Sequence, residues 1–189
     1  MDAQVLVVGG GPVGTFITLR LARAGIKVLL LEALEAPSSA PRAAVYTGPS
    51  VYELQRAGIL DDVRGLGLQN GDVCWRKATG EILAGIERRN APADPLNPVT
   101  LDQFRLETVI LKHLKDYPNA NCLWGHNVTA LEQSEHSVTV TVETLEGETR
   151  HISAEYVVGA DGGKSTVRHL IGCKFEGFTF PQTISLMNS

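Results

Sequence analysis

Gln4–Glu32, QVLVVGGGPVGTFITLRLARAGIKVLLLE, constrains the fold of this chain more than any other stretch. It opens on an apolar run, Val5–Val8, of the kind a strand buried on both faces requires. The run breaks at Gly9-Gly10-Gly11-Pro12-Val13-Gly14, which contains G-x-G-x-x-G. Apolar residues then recur at helical spacing, with Phe16, Leu19 or Leu21, and Ala24 expected to face a core. Gly25 stands where a helix C-terminal glycine belongs. A second apolar run, Val28–Leu31, ends in an acid, Glu32.

Each part has a physical task in binding a dinucleotide. Gly9 permits the sharp turn out of the strand. Gly11 lacks a side chain, so a pyrophosphate can approach the backbone. Gly14 lets the helix lie close on the sheet. Free N–H groups at the helix start, with the helix dipole, attract the phosphates. Glu32 follows Gly14 by 18 residues, close to the roughly 20 expected for an acid on the adenosine ribose. The alternative is a tight strand–helix turn with no ligand, and three consecutive glycines argue against it.

Composition excludes several other classes. At 43% hydrophobic and 20% charged, the 189 residues suit a globular protein with one core, or one domain and part of another. A net charge of −4 with no long basic run makes nucleic acid an unexpected partner. The most apolar region is broken by glycines and by Arg20 and Arg23, so no membrane span is expected. The chain shows no secretory signal, and a cytoplasmic location is expected. Cys74, Cys122 and Cys173 are dispersed and odd in number, which points to reduced structural thiols. The five histidines form no H-x-x-H or HExxH grouping, and no metal site is expected.

Further along, residues 36–42 are a loop by composition, and short helices are expected from Gly48 through Arg56 and over Leu60–Leu66. Asp72–Arg76 and Glu81–Ile86 read as a hairpin around Lys77-Ala78-Thr79-Gly80. Asn90–Pro98 is a loop. Leu101–Lys115 reads as an amphipathic helix opened by a capping box, Thr100 to Gln103. Cys122–Trp124 reads as a short buried strand. Val138, Val140 and Val142 alternate with polar residues as in a half-solvated antiparallel strand, returning over Thr149–Ile152. Tyr156–Ala160 then reads as a second buried strand, running into Asp161-Gly162-Gly163 and a helix near Ser165–Ile171. Buried strands with helical crossovers flank antiparallel hairpins, which implies a parallel α/β sheet with a β-meander crossover and an inserted β element.

Gly163-Lys164-Ser165 invites a phosphate-loop reading, but the first glycine of G-x-x-x-x-G-K-[ST] would have to be residue 158, which is Val158. Three segments together carry a different signal: GGGPVG with Glu32; Pro41-Arg42-Ala43 leading to Glu53-Leu54 and Gly58-Ile59; and Asp161-Gly162 with Ser165 and Arg168. In that order they resemble the N-terminal part of the FAD-dependent aromatic hydroxylases, the flavoprotein monooxygenases similar to para-hydroxybenzoate and phenol hydroxylases. The hairpin from Trp75-Arg76 to Thr79-Gly80-Glu81 also resembles that family.

The resemblance implies a Rossmann-like FAD-binding fold carrying an inserted β-hairpin of an incomplete substrate domain. Residues 1–70 and 100–172 would form the FAD-binding domain, 71–99 the inserted element, and 173–189 the start of the substrate domain. It implies FAD along Gly9, Gly11, Val13 and Gly14, with Glu32 on the adenosine ribose. Arg42 would sit near the cofactor and help bind the flavin or the nicotinamide, a solvated loop arginine being the alternative, and Gln103 would contact the flavin side, although the capping box offers it a purely structural role. Asp161 and Gly162 would lie near the pyrophosphate, although Asp161 could equally be a helix N-cap. Arg168 is expected to brace that loop. The implied activity is hydroxylation of an aromatic or phenolic small molecule with NADH or NADPH and dioxygen, the hard chemistry being the cofactor's. No catalytic acid or base is assigned. The family's later Gly-Asp segment has no counterpart in position, since Gly71-Asp72 falls inside the hairpin. Truncation could leave an exposed sheet edge that favours a dimer. A non-catalytic dinucleotide-binding remnant and an NAD-dependent dehydrogenase remain the alternatives.

Overall fold

A computed structural model of the chain describes residues 1–40, 42, 44–69, 71–88 and 94–183. Pro41 and Ala43 of the arginine loop, residues 90–93 of the expected 90–98 loop, and residues 184–189 lie outside these. The chain divides into two compact units, one formed by Met1–Ala40 with Ile110–Met187 and the other by Pro41–Val109.

The first unit is built on a six-stranded sheet. Its strands are β1 (Ala3–Val8), β2 (Val28–Leu31), β8 (Ala120–Leu123), β9 (His126–Gln133), β10 (Val138–Thr144) and β11 (Thr149–Gly159), in the spatial order β8-β2-β1-β11-β10-β9. β8, β2, β1 and β11 run parallel, while β10 lies antiparallel to both β11 and β9. This is the parallel sheet with a β-meander that the sequence implies. The helix α1 (Pro12–Arg23) connects β1 to β2, and Gly25 takes the left-handed conformation just past its end, at φ 79°. A short helix, α5 (Thr166–Leu170), follows β11.

Three sequence expectations for this unit need correcting. The buried face of α1 is Gly14, Thr15, Thr18, Leu19 and Ala22, whereas Phe16 is only half-buried and Ala24 is exposed. Apolar periodicity overlooks the threonines, which become compatible with a core by returning their hydroxyls to the helix backbone. Thr15 Oγ1 donates to Gly11 O at 2.9 Å and Thr18 Oγ1 to Gly14 O at 2.8 Å. The strands expected at Thr149–Ile152 and Tyr156–Ala160 are one continuous strand, β11. Its first half pairs with β10 and its second with β1, Ala154 being registered against both Val138 and Ala3. The second half is not fully buried, and Tyr156 is 66% exposed. β8 is likewise half-exposed at the sheet edge, where a buried strand was expected.

Leu6, Val8 and Leu31 share a hydrophobic core with Val128, Val140, Val142, Ile152 and Val167. In a flat sheet β2 and β9 would lie about 19 Å apart at roughly 4.8 Å per strand. The sheet curls instead, so that His126 N–H donates to Glu32 O at 2.8 Å. That curl closes the unit around the C-terminal end of β2.

The second unit holds β3 (Val45–Tyr46), β4 (Leu68–Gln69) and β7 (Val99–Thr100) in one small sheet, ordered β3-β7-β4. It also holds the helices α2 (Gly48–Arg56) and α3 (Leu60–Leu66), and the hairpin β5 (Val73–Arg76) with β6 (Ile82–Ile86). The chain leaves it along α4 (Gln103–Leu114). The capping box is not formed. Thr100 is committed to β7, paired with Val45 and Leu68, so the helix begins only at Gln103. A strand partner on each side holds Thr100 extended, a tertiary override of a local signal.

Candidate functional site

Strand register brings the first unit's predicted residues together. Val8 is paired with Leu31 on one side and with Gly159 on the other. The residues that follow, Gly9, Glu32 and Ala160-Asp161, therefore leave the sheet side by side at the C-terminal ends of β1, β2 and β11. Gly9 N–H donates to Leu31 O at 2.8 Å and Ala160 N–H to Val8 O at 2.7 Å, locking the three exits. β1 leads through α1 to one neighbour and borders β11 on the other side, which makes this the switch point where open α/β sheets bind ligands.

The glycines divide their tasks as the spacing predicts. Gly9 has φ 107°, and a Cβ there would meet Ala160 O at 2.5 Å. A Cβ on Gly14 would fall 1.8 Å from Gly9 O. Both are glycine because the protein itself fills the space. Gly11 differs: a Cβ there would meet nothing within 4 Å. Its lack of a side chain serves no packing purpose within the first unit. Gly11 is also the N-cap of α1, with no side-chain cap hydrogen bond and no acidic residue in the first turn. The helix thus presents uncompensated N–H groups and positive dipole over open backbone, an arrangement suited to a phosphate. Val13 lies in that first turn, 60% exposed.

Glu32 is held against this loop. Its Oε2 accepts from Gly10 N–H, and its Oε1 accepts from Leu34 N–H at 2.8 Å. Sequence reasoning missed Gly10 as the partner of the acid, since the spacing of motif residues does not reveal a backbone bond between two loops. A carboxylate has about four lone-pair positions, so two backbone donors leave it able to accept from a diol.

The Asp161 loop is organised differently. Ser165 is the N-cap of α5, and its Oγ accepts from Arg168 N–H at 3.0 Å. Asp161 stands behind the cap instead of forming it. Its Oδ1 accepts from Ser165 Oγ at 2.5 Å and its Oδ2 from Val167 N–H at 3.1 Å. Arg168 braces the loop by donating from Nη1 to Gly163 O at 2.9 Å. Gly162 has φ 84° and open space around it.

Arg42 and Gln103 belong to the second unit. Arg42 is exposed in the segment before β3. Gln103 is half-buried, and its Nε2 donates to Glu107 Oε1 at 2.9 Å. Glu107 is a charged residue only 2% exposed. Tyr46 lies in the same unit, its hydroxyl buried without a hydrogen-bond partner. Burial, with the charges of Glu107 and Asp102, pushes that hydroxyl up to about 12. Among the described residues no group of three or more His, Cys, Asp or Glu could hold a metal ion. No described helix is long and apolar enough to cross a membrane.

Comparison with known proteins agrees with this geometry. A family model described as FAD binding domain matches residues 2–188. Para-nitrophenol 4-monooxygenase of Pseudomonas sp. (strain WBC-3) is 36% identical over 186 residues, covering 97% of this chain and 46% of that protein. 6-Hydroxy-3-succinoylpyridine 3-monooxygenase of Pseudomonas putida (strain DSM 28022 / S16) is 35% identical over 194 residues, covering 100% of this chain and 49% of that protein. The chain therefore spans about half the length of these curated relatives. The crystal structure of p-nitrophenol 4-monooxygenase PnpA from Pseudomonas putida DLL-E4 superposes with a TM-score of 0.86 at 35% identity, over 94% of this chain and 45% of that one. That of the flavin-dependent monooxygenase PieE, in complex with FAD and substrate, gives 0.85 at 26% identity, over 94% and 33%. The open backbone at Gly11, the uncapped α1 terminus and the acid at the end of β2 fit the adenosine diphosphate half of FAD, and the chain belongs to the FAD-binding domain family with the Rossmann-like fold of its flavin monooxygenases.

Proposed function

We propose that the chain is the FAD-binding portion of an FAD-dependent monooxygenase that hydroxylates an aromatic or phenolic small molecule with NAD(P)H and dioxygen. The observation that carries this reading is the 36% identity to para-nitrophenol 4-monooxygenase across 97% of the chain. When bound, FAD supplies the redox chemistry that links the nicotinamide, dioxygen and the ring. The residues of this chain bind and orient it. The backbone from Gly9 through Gly11, Val13 and Gly14 receives the pyrophosphate, and Glu32 accepts from the adenosine ribose hydroxyls. Asp161 and Gly162 shape the wall beside the pyrophosphate. Arg42 lies near the cofactor and helps bind the flavin or the nicotinamide, and Gln103 contacts the flavin side. No acid or base of this chain is required for the reaction.

In this reading residues 1–70 and 100–172 form the FAD-binding domain, 71–99 insert from the substrate domain, and 173–189 lead into it. The β5–β6 hairpin supports that assignment, because Trp75, Ile82, Leu83 and Ile86 are each 45% exposed or more. Those apolar side chains, with β8 at the sheet edge, also give a dimer a surface to form on. The free Cys74, Cys122 and Cys173 suit the reducing cytoplasm.

Two measurements test the proposal. Ultrafiltration of the 189-residue chain with FAD should retain flavin absorbance with the protein. The chain joined to the C-terminal half of a relative should oxidise NAD(P)H faster when a phenol is present. A chain that retains no flavin, or no stimulation across a broad phenol panel, overturns it.

A further inference from the structure

We propose that Glu107 is a positioning residue that fixes the amide orientation of Gln103 for contact with the cofactor. The inference rests on the reading that Gln103 faces the flavin side of FAD. Glu107 lies one turn along α4 from Gln103 and accepts from its Nε2 at 2.9 Å. Such an i,i+4 pair is ordinary on a helix surface, but this one is not at the surface. Glu107 is 2% exposed, among the most buried polar residues of the chain. A carboxyl group is withdrawn from water at a cost, which its hydrogen bonds, that from Gln103 among them, offset.

Chemistry sets the direction. Gln103 Nε2 donates and Glu107 Oε1 accepts, so the NH2 end of the amide faces the carboxyl group. The carbonyl, Oε1, is then turned away from Glu107 and offered as an acceptor, with one N–H remaining. Gln103 itself is half-buried. The ribityl hydroxyls and ring N–H of a flavin are donors that match that carbonyl. The buried Tyr46 hydroxyl, beside the same charge, makes no hydrogen bond, so the carboxylate is not diverted from Gln103 to it. A neutral amide at position 107 would donate or accept equally well, and would leave Gln103 free to present either end.

The test is a double-mutant cycle on FAD affinity of the 189-residue chain, read by flavin fluorescence, with Gln103→Ala, Glu107→Gln and the double variant. Each single change should weaken FAD by about fivefold, the weight of one net hydrogen bond. The double variant should be no weaker than Gln103→Ala alone. An undiminished effect of Glu107→Gln in the Gln103→Ala background overturns the inference, because Glu107 would then act through packing. So does Glu107→Gln without effect while Gln103→Ala weakens binding. Gln103→Ala without effect overturns the underlying reading, and the inference with it. A wild-type measurement guards against a misfolded variant: FAD should shift the Gln103 side-chain amide resonances, and unchanged resonances overturn the proposal.

Discussion

Two loops in the first unit each follow a parallel strand and open a helix, yet they treat their backbone donors in opposite ways. At Gly9–Gly14 the helix α1 has a glycine N-cap, no capping side chain and no acid in its first turn. At Asp161–Ser165 the helix α5 has Ser165 as cap, Asp161 accepting from both Ser165 Oγ and Val167 N–H, and Arg168 tied to Gly163 O. The first loop spends Gly9 and Gly10 N–H on Leu31 and Glu32 but leaves the N–H groups at the start of α1 without a capping side chain, whereas the second caps its helix itself. This contrast explains why Gly163-Lys164-Ser165 is no phosphate loop despite its sequence: its serine is already both cap and donor.

Four substitutions press on that contrast. Gly14→Ala should be the most damaging, since its Cβ would fall 1.8 Å from Gly9 O. A loss of about 3 kcal/mol is expected, which a thermal melt would register as a fall of roughly 6–12 °C. Asp161→Ala should cost about 2 kcal/mol by orphaning Val167 N–H and the Ser165 hydroxyl, and urea midpoints would show it with or without FAD. A loss seen only with FAD would mean that Asp161 serves the ligand and not the loop. Gly11→Ala should leave the melt unchanged, because its Cβ meets nothing within 4 Å, yet weaken FAD by about tenfold, or roughly 1.4 kcal/mol, by filling the phosphate's space. Gly163→Ala, equally open in the structure, should do neither. Equal loss of FAD binding in the two alanine variants would erase the distinction between the loops.

The glycine loop was legible in the sequence because its constraints are local: a run, a break, a period and an acid at fixed spacing. The positions of α2, α3 and the hairpin were legible for the same reason. What escaped is set by partners distant along the chain. The β11 strand reads as two because its alternation changes where its neighbour changes, from β10 to β1, and a period of two carries no record of who pairs. The Thr100 capping box failed because β3 and β4 claim that residue. Thr15 and Thr18 escaped because their burial depends on hydroxyls returning to the helix backbone. The family resemblance singles out Gln103 as a candidate, but only the structure shows its buried partner Glu107.

The pairing of β1 with β11 has a consequence for synthesis. Asp2 and Ser153, hydrogen-bonded at the base of that pair, are 151 residues apart. At about 5–20 residues per second, the glycine loop emerges from the ribosome roughly 8–30 s before the strand that completes its wall. During that interval β1 has one edge without its native partner, and the loop stands without Ala160 against Gly9. Closing so distant a contact is slow. Nascent chains should therefore acquire FAD only once β11 has been made, however early the glycine loop was made.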